Sequence, residues 1–428
     1  MVKEFFNGND LPRVIHERLV GMLPNLISDE QADFPHGFFR STRDVKQSNP
    51  LSPTLFILAA EAMSRGLNAL HKNLYFCGFG LPKWSPKINH LAYADDTTSF
   101  SSLDATSLQL IMEILTAYEA ASRKLINKSN SAIYMHHSAS AQVVDKVQGS
   151  QECLSRIFHL CILDVQFFYL RRRMEYYQGL ITKVMDKLQT WKGKLLSIGG
   201  REVLISHVLQ IMPIHLLSTV NPPPYVINRL HKIFAQFFWC NSVGAASRHW
   251  AYWNTLCLPW DEGGVGFRSL HDMSTALFCK LWWNFRTKPS LWSLFMSQKY
   301  CKKLNPMVVP WKNGSHVWRK ILECRDIIEH QILWQPKMGS ALFWFENWIG
   351  LGSLYFVTPP DFVCDESIHN IYEVVYDGQW DEENIREILP EDIASHILEN
   401  IQPQVSIEIL DKHVWMLETR GNFTVKSA

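Results

Sequence analysis

Beyond residue 170 the chain turns helical, and the apolar stripes between residues 177 and 237 exclude an all-β fold for that stretch. Tyr177, Leu180, Ile181, Val184, Leu188 and Trp191 hold one face over four turns. Gly199 and Gly200 punctuate the pattern, and Leu204, Val208 and Ile211 form the next stripe, stopped by Pro213. Pro222, Pro223 and Pro224 set off a third helix with Val226, Leu230, Ile233, Phe234 and Phe237 on its apolar side. These stripes read as bundle core. Fifteen of the sixteen tryptophans also lie after residue 190, and interior packing suits most of them. Base stacking is the alternative for those beside basic groups, as in Arg248-His249-Trp250 and Trp311-Lys312.

The upstream half is patterned differently. Residues 35–50 are polar and basic and predict loop or hairpin. Ser52 and Pro53 predict a helix start, with the serine as N-cap and the proline in the first turn. Leu55, Phe56, Ala59, Met63, Leu67 and Leu70 follow at helical spacing. The segment from Ile88 to Phe100 predicts two short strands with Asp95 and Asp96 at the turn. Asp104 is placed to cap a helix carrying Leu108, Ile111, Leu115 and Tyr118, and Ala132 to Met135 predicts another strand. Residues 50–135 therefore read as helix, hairpin, helix, strand.

Composition narrows the function classes. The 428 residues are 47% hydrophobic and 19% charged, enough for a sizeable core. No apolar run approaches the ~18 residues of a membrane span, and charge interrupts the first ten residues, so no secretory signal is readable. The nine cysteines are dispersed, form no Cys-x-x-Cys pair, and suit reduced, buried thiols. An intracellular protein of nucleus or cytoplasm, without a membrane partner, is expected. The net charge of +1 hides an asymmetry. Residues 165–300 hold 16 Lys+Arg against 6 Asp+Glu, whereas residues 361–428 hold 4 against 15. The basic block suits an anionic partner such as a nucleic-acid backbone, or is simply a solvated face.

Tyr93-Ala94-Asp95-Asp96 is the sharpest chemical signal. Adjacent carboxylates 4 Å apart repel by about 4 kcal/mol at an effective dielectric of 20. Solvent, a proton or a cation relieves that repulsion. Oxygen-only carboxylate sites suit Mg²⁺, and paired ions clamp the attacking and leaving oxygens of phosphoryl transfer. The bland alternative is an exposed acidic turn.

These residues resemble the catalytic hairpin of reverse transcriptases, and further segments extend the resemblance along nearly the whole chain. Gly37 to Phe56, with Gln47-Ser48-Asn49-Pro50-Leu51-Ser52-Pro53 at its centre, resembles the template and nucleotide pocket of plant LINE-type (non-LTR) retrotransposon polymerases. Leu125 to Ser131 is similar to that family's following motif. Trp191 to Arg201, Met212-Pro213 and Phe237-Phe238-Trp239 are similar to its thumb-like helices, and Asp261 to Phe267 and Trp344 to Trp348 to the region beyond. The resemblance implies an α+β fold: a partial reverse-transcriptase palm, helix plus catalytic β-hairpin, followed by a mostly α-helical thumb-like and C-terminal region. It divides the chain into 1–34, a remnant of fingers and N-terminal palm; 35–150, a partial palm; 165–300, the helical thumb-like basic region; and 301–428, a Trp-rich to acidic region ending before a zinc-binding-like segment. It implies RNA-directed DNA polymerase chemistry on an RNA template and DNA primer. Asp95 and Asp96 would be the catalytic, Mg²⁺-binding pair. Tyr93, Gln47 and Pro50 would line the substrate pocket. Arg171, Arg172, Arg173, Lys183, Lys187, Lys192, Lys194 and Arg201 would contact phosphates.

The chain also departs from the family's pattern. The third metal-binding Asp and its strand are not found. Family-like sequence from before it, ending at Phe34, abuts family-like sequence from after it, beginning at Pro35, as after an internal deletion. Ser48 and Asn49 replace the usual Gly and Asp, and Asn130 replaces a common Lys. Half a clamp offsets little of the dehydration of Mg²⁺, so little or no polymerisation is expected. The alternative function is a non-catalytic nucleic-acid-binding remnant or a pseudogene product.

Overall fold

The computed structural model describes residues 52–79, 87–93, 96–102, 104–122, 124–127, 131–135, 154–157, 160–162, 165–167, 174–192, 196–239, 249–312, 314–365, 367–403 and 409–428. The chain forms two compact units, 1–162 with 166–169, and 163–165 with 170–428. Helices dominate, accompanied by small two-stranded sheets.

In the first unit, helix α1 (Ser52–Ala69) starts where the Ser-Pro signal places it and runs into a 3-10 turn, Leu70–Lys72. Strands β1 (His90–Tyr93) and β2 (Asp96–Ser99) form an antiparallel hairpin, and helix α2 (Ala105–Ser122) follows. Asp104 caps α2, its Oδ2 accepting from the Ser107 amide at 2.8 Å. Small residues decide how α1 and α2 meet. Ala59, Ala62 and Ala121 close around Tyr118, and Leu67, Leu70 and Ile111 fill the next layer. Strand β3 (Ala132–Met135) pairs in parallel with β4 (Leu154–Ile157). Two three-residue strands follow, β5 (Leu160–Ile162) and β6 (Val165–Phe167).

The second unit begins with α3 (Gln178–Lys192), whose stripe of Ile181, Val184 and Leu188 is buried as its spacing predicts. Helix α4 (Ile198–Leu204) starts at the glycine pair, with Ser197 as N-cap accepting from the Gly200 amide at 3.1 Å. It then widens into a π-helical turn, Ile205–Leu209, in which the Gln210 amide donates to the Ile205 carbonyl at 3.0 Å. That extra residue corrects the expected stripe. Ile205 and Leu209 are buried, whereas Leu204 and Val208 are only half-buried and Ile211 is 50% exposed. Helices α5 (Ile214–Thr219) and α6 (Pro224–Trp239) follow; all five apolar positions predicted for α6 are buried.

After the short α7 (Trp253–Leu256), the glycine run at 263–266 folds back on the 256–259 segment as a turn. The Gly264 amide donates to the Pro259 carbonyl at 2.9 Å, and a Cβ at Gly264 would sit 1.9 Å from the Leu258 carbonyl oxygen. Only glycine fits that close approach. Helices α8 (Leu270–Thr287), α9 (Leu291–Met296) and α10 (His316–Ile328) follow. Strand β7 (Ile332–Gln335) pairs antiparallel with the distant β10 (Lys412–Trp415). Between them lie α11 (Leu354–Val357), hairpin β8–β9 (Val375–Tyr376 and Gln379–Trp380), α12 (Glu382–Ile388) and α13 (Glu391–Asn400). Asp377 and Gly378 both take positive φ, the two-residue turn that matches strand twist.

Among the described residues of this unit, three apolar cores succeed one another. The first joins α3, α4 and α6, with Trp253 stacked on Phe267 at 5.1 Å. The second gathers Phe278, Trp282, Trp318 and Trp415 and takes side chains from both sides of residue 300. The third surrounds Phe343, Trp348, Ile371 and Ile397. Of the fifteen tryptophans after residue 190, Trp250, Trp260 and Trp311 are exposed and the rest are buried or half-buried. Cys279, Cys301 and Cys324 are buried free thiols. Among the described residues no helix is long and apolar enough to cross a membrane.

Candidate functional site

The acidic hairpin is held by its base. Buried Asn89, just before β1, donates through Nδ2 to the Leu67 carbonyl of α1. The imidazole of His90 spans Asn89 Oδ1, at 2.9 Å, and Ser64 Oγ of α1, at 2.7 Å. Burial pushes the His90 pKa down, with the His71 charge adding to the effect, and both favour the neutral ring. Beyond the hairpin, the Phe100 amide donates to the Asn89 carbonyl at 2.7 Å.

The ladder pairs His90 with Ser99, Leu91 with Thr98, Ala92 with Thr97 and Tyr93 with Asp96. Asp96 is therefore the first residue of β2, directly opposite Tyr93, rather than a turn residue as the sequence suggested. It is exposed. Asp95, the other expected ligand, lies outside the described residues, as do Gln47 and Pro50 of the expected substrate pocket. Strand alternation places Asp96 and Thr98 on one face and Thr97 and Ser99 on the other. Among the described residues this sheet has two strands only, and no group of three or more His, Cys, Asp or Glu is placed to hold a metal ion. A carboxylate at the hairpin end suits Mg²⁺ in kind, but the described donors do not reach the number that an octahedral ion demands.

The expected phosphate contacts divide. Lys183 and Lys187, one turn apart on α3, are exposed beside the buried stripe. Lys192 ends the same helix. Arg171, Arg172, Arg173 and Lys194 lie outside the described residues. Arg201 is half-buried, and its Nη1 donates to the Phe238 carbonyl at 3.1 Å, tying α4 to the last turn of α6.

Several buried polar groups went unread in the sequence. Arg286 of α8 sits between two buried carboxylates, Glu329 at 3.0 Å and Glu346 at 3.9 Å, and Trp282 Nε1 donates to Glu329. Glu346 also accepts from the Leu342 amide at 2.6 Å. Its neighbour Asn347 accepts from the amides of Gly350 and Gly352, each at 3.0 Å. The Trp344 to Trp348 segment is thus a polar stitch within aromatic packing. A carboxylate and an amide amid aromatics were the available signal.

Two of these buried groups titrate in opposite senses. His231 accepts from the Leu270 amide at 3.0 Å and lies 5.5 Å from both Trp253 and His271; burial and then the His271 charge push its pKa down to about 4. The fold favours its neutral form, so this stabilisation is full above 6.5 and is lost as pH falls towards 4. Burial raises the Glu346 pKa to about 6 against the pull of Arg286, so its contribution to stability falls as pH rises from 4.5 to 6. The two slopes oppose each other. Glu346→Gln is therefore expected to make stability fall more steeply between pH 6.5 and 4 than in the parent, as read by urea denaturation at each pH. An unchanged slope would contradict this assignment.

No protein-family model matches the chain. Over 176 residues it is 32% identical to a putative ribonuclease H protein of Arabidopsis thaliana, covering 40% of this chain and 28% of that protein. Over 228 residues it is 27% identical to an uncharacterized 149 kDa protein of transposon TX1 from Xenopus laevis, covering 52% of this chain and 16% of the relative. Over 65 residues it is 40% identical to an uncharacterized mitochondrial protein of Arabidopsis thaliana, covering 15% and 53% respectively. The chain is a distant relative of transposon-encoded proteins. It spans less than two thirds of the length of each of these three.

Proposed function

We propose that this chain derives from the reverse transcriptase of a plant LINE-type (non-LTR) retrotransposon and keeps the polymerase hairpin without a complete metal clamp. The observation that carries the reading is the β1–β2 register, which sets Tyr93 opposite Asp96 at the end of a two-stranded hairpin anchored on α1. The ordered motifs on either side, and the relationship to a transposon-encoded protein, support the same origin. In an intact polymerase of this class, a primer 3′-hydroxyl attacks the α-phosphate of a dNTP and pyrophosphate leaves. Asp95 and Asp96 would hold Mg²⁺, which supplies charge stabilisation to the transferring phosphoryl group. Gln47, Pro50 and Tyr93 would shape the pocket for nucleotide and template. The third acid belongs to a segment missing between Phe34 and Pro35. Loss of one member of a catalytic unit commonly lowers turnover by about 10³-fold or more, so the enzyme reading is of an impaired polymerase.

A second reading, a non-catalytic nucleic-acid binder, is favoured by the exposed pair Lys183 and Lys187. It also draws on the basic block around that pair. Affinity for a primed RNA template is expected to drop steeply between 50 and 200 mM salt, because phosphate contacts release counterions. A fluorescence-anisotropy titration at the two ionic strengths measures this. Binding that holds constant over that range would exclude the basic face as the interface.

A further inference from the structure

Two thiols meet where helices α8 and α10 pack against each other. Cys279 of α8 and Cys324 of α10 are 1% and 0% exposed, and both belong to the second core. Cys324 Sγ donates to the Thr275 carbonyl of α8 at 3.7 Å. Thr275 and Cys279 are one turn apart on that helix, so this bond sets the Cys324 sulfur over the face of α8 that carries Cys279. The two sulfurs also lie in hydrogen-bonding contact with each other. Both are free thiols.

The pair is asymmetric. The hydrogen bond from Cys324 lowers the Cys279 pKa, burial opposes it, and the Lys320 ammonium adds to the lowering. Cys324 is raised by the same bond and by burial, with Glu323 adding to the rise and Lys320 opposing it. The thiolate is the nucleophilic form, so Cys279 is the sulfur set to attack and Cys324 the one set to resolve. Cys301, in the same core, is pushed up to about 11 by burial. A route for a small reagent borders the pair. A cavity of about 370 Å³ has Thr275, Lys320 and Glu323 in its lining. Thr275 is the residue that accepts from Cys324, and Lys320 and Glu323 precede Cys324 by one turn and by one residue on α10.

We propose that Cys279 and Cys324 form a redox-responsive dithiol, which hydrogen peroxide converts to a disulfide joining α8 to α10. Cys279, as thiolate, attacks one peroxide oxygen. The O–O bond breaks, and the departing hydroxide takes up the proton that Cys279 gave away, leaving as water. Cys279 is then a sulfenic acid. The Cys324 sulfur attacks the Cys279 sulfur, the S–O bond breaks, and the hydroxyl leaves with the Cys324 proton as a second water. The pair loses two electrons and two protons, and the peroxide is reduced to water. The device stands apart from the acidic hairpin and does not depend on polymerase ancestry.

The test is peptide mapping of the full chain after treatment with hydrogen peroxide, alkylation of the remaining thiols in denaturant, and trypsin digestion without reduction. Trypsin releases Ser269–Lys280 and Ile321–Arg325, each with a single cysteine. The expected product is the two peptides linked, at the sum of their masses less two hydrogens and with Met273 free to carry a sulfoxide. Dithiothreitol is expected to separate them, and Cys301 is expected to stay alkylated. The linked chain is expected to unfold about 5 °C or more above the reduced chain, because the bond closes a loop between two helices. Cys324→Ser is expected to leave Cys279 as a sulfenic acid that dimedone traps, whereas Cys279→Ser leaves Cys324 unmodified. Exposed Cys77 reports that the oxidant acted. Oxidised Cys77 beside fully alkylated Cys279 and Cys324, or a link that forms only once the chain is unfolded in urea, would overturn the proposal.

Discussion

Replacing Arg286 with Met is expected to lower the stability of the second unit by about 3–5 kcal/mol, the scale seen when one partner of a buried ion pair is removed. Both carboxylates that face Arg286 are buried with it, at side-chain exposures of 7–9%. Without the guanidinium, Glu329 and Glu346 keep the desolvation penalty and lose the compensating charge. The loss is not confined to one helix. Glu329 follows α10, and Glu346 lies in the Trp344 to Trp348 segment that packs with the third core. The guanidinium also lies 5.8 Å from the ring of Trp334. Urea denaturation followed by tryptophan fluorescence measures the change. The triple variant Arg286→Met, Glu329→Gln, Glu346→Gln is expected to recover most of the loss, because it removes the stranded charges together. A single Arg286→Met variant within 1 kcal/mol of the parent, a bound set by exposed pairs, would show that the network is not a buried one.

Asp411→Ala is expected to cost about 3 kcal/mol, two charge-assisted hydrogen bonds being enough for that figure. The Asp411 carboxylate accepts from the amides of Lys337, Gly339 and Ala341, at 2.5, 2.9 and 2.6 Å, and from Ser340 Oγ at 2.8 Å. It locks the loop after β7 to the residue before β10, more than seventy positions away in sequence. Partial burial raises its pKa, but the hydrogen bonds from Lys337, Ser340, Gly339 and Ala341 outweigh burial and hold it below the ordinary carboxylate value of 3.8. The stabilisation is therefore present above pH 3.8 and lost as pH falls through the lower folded value. Asp411→Asn, which keeps one acceptor oxygen, should fall between the parent and Asp411→Ala in thermal unfolding. Equal unfolding temperatures for all three would remove Asp411 from this role.

Local signals in the sequence located the elements wherever a helix or strand depends on its own residues. Ser52-Pro53 marked the start of α1, Asp104 capped α2, and the triple proline opened α6. The hairpin at 90–99 was legible because β-formers flank an acidic pair, although its ladder takes in Asp96. The π-helical turn at Ile205–Leu209 was not legible, since an inserted residue leaves composition unchanged and shifts only which face is buried. Asp377-Gly378 carries a turn signal in its residue types, within a stretch whose dominant feature is its acidity. Arg286, Glu329 and Glu346 escaped for a different reason. A charge is read as exposed until its partners are known, and these partners are 43 and 60 positions away along the chain. Asp411 escapes likewise, because its meaning depends on what tertiary packing brings to it.

The impaired-polymerase reading stands or falls on whether Asp95 and Asp96 suffice to drive nucleotide transfer. Purified full-length chain, supplied with Mg²⁺, a DNA primer annealed to an RNA template, and labelled dNTP, is expected to show no incorporation above a no-enzyme control. Steady incorporation that requires Mg²⁺ and is abolished by Asp95→Asn would contradict it and make the chain a working reverse transcriptase.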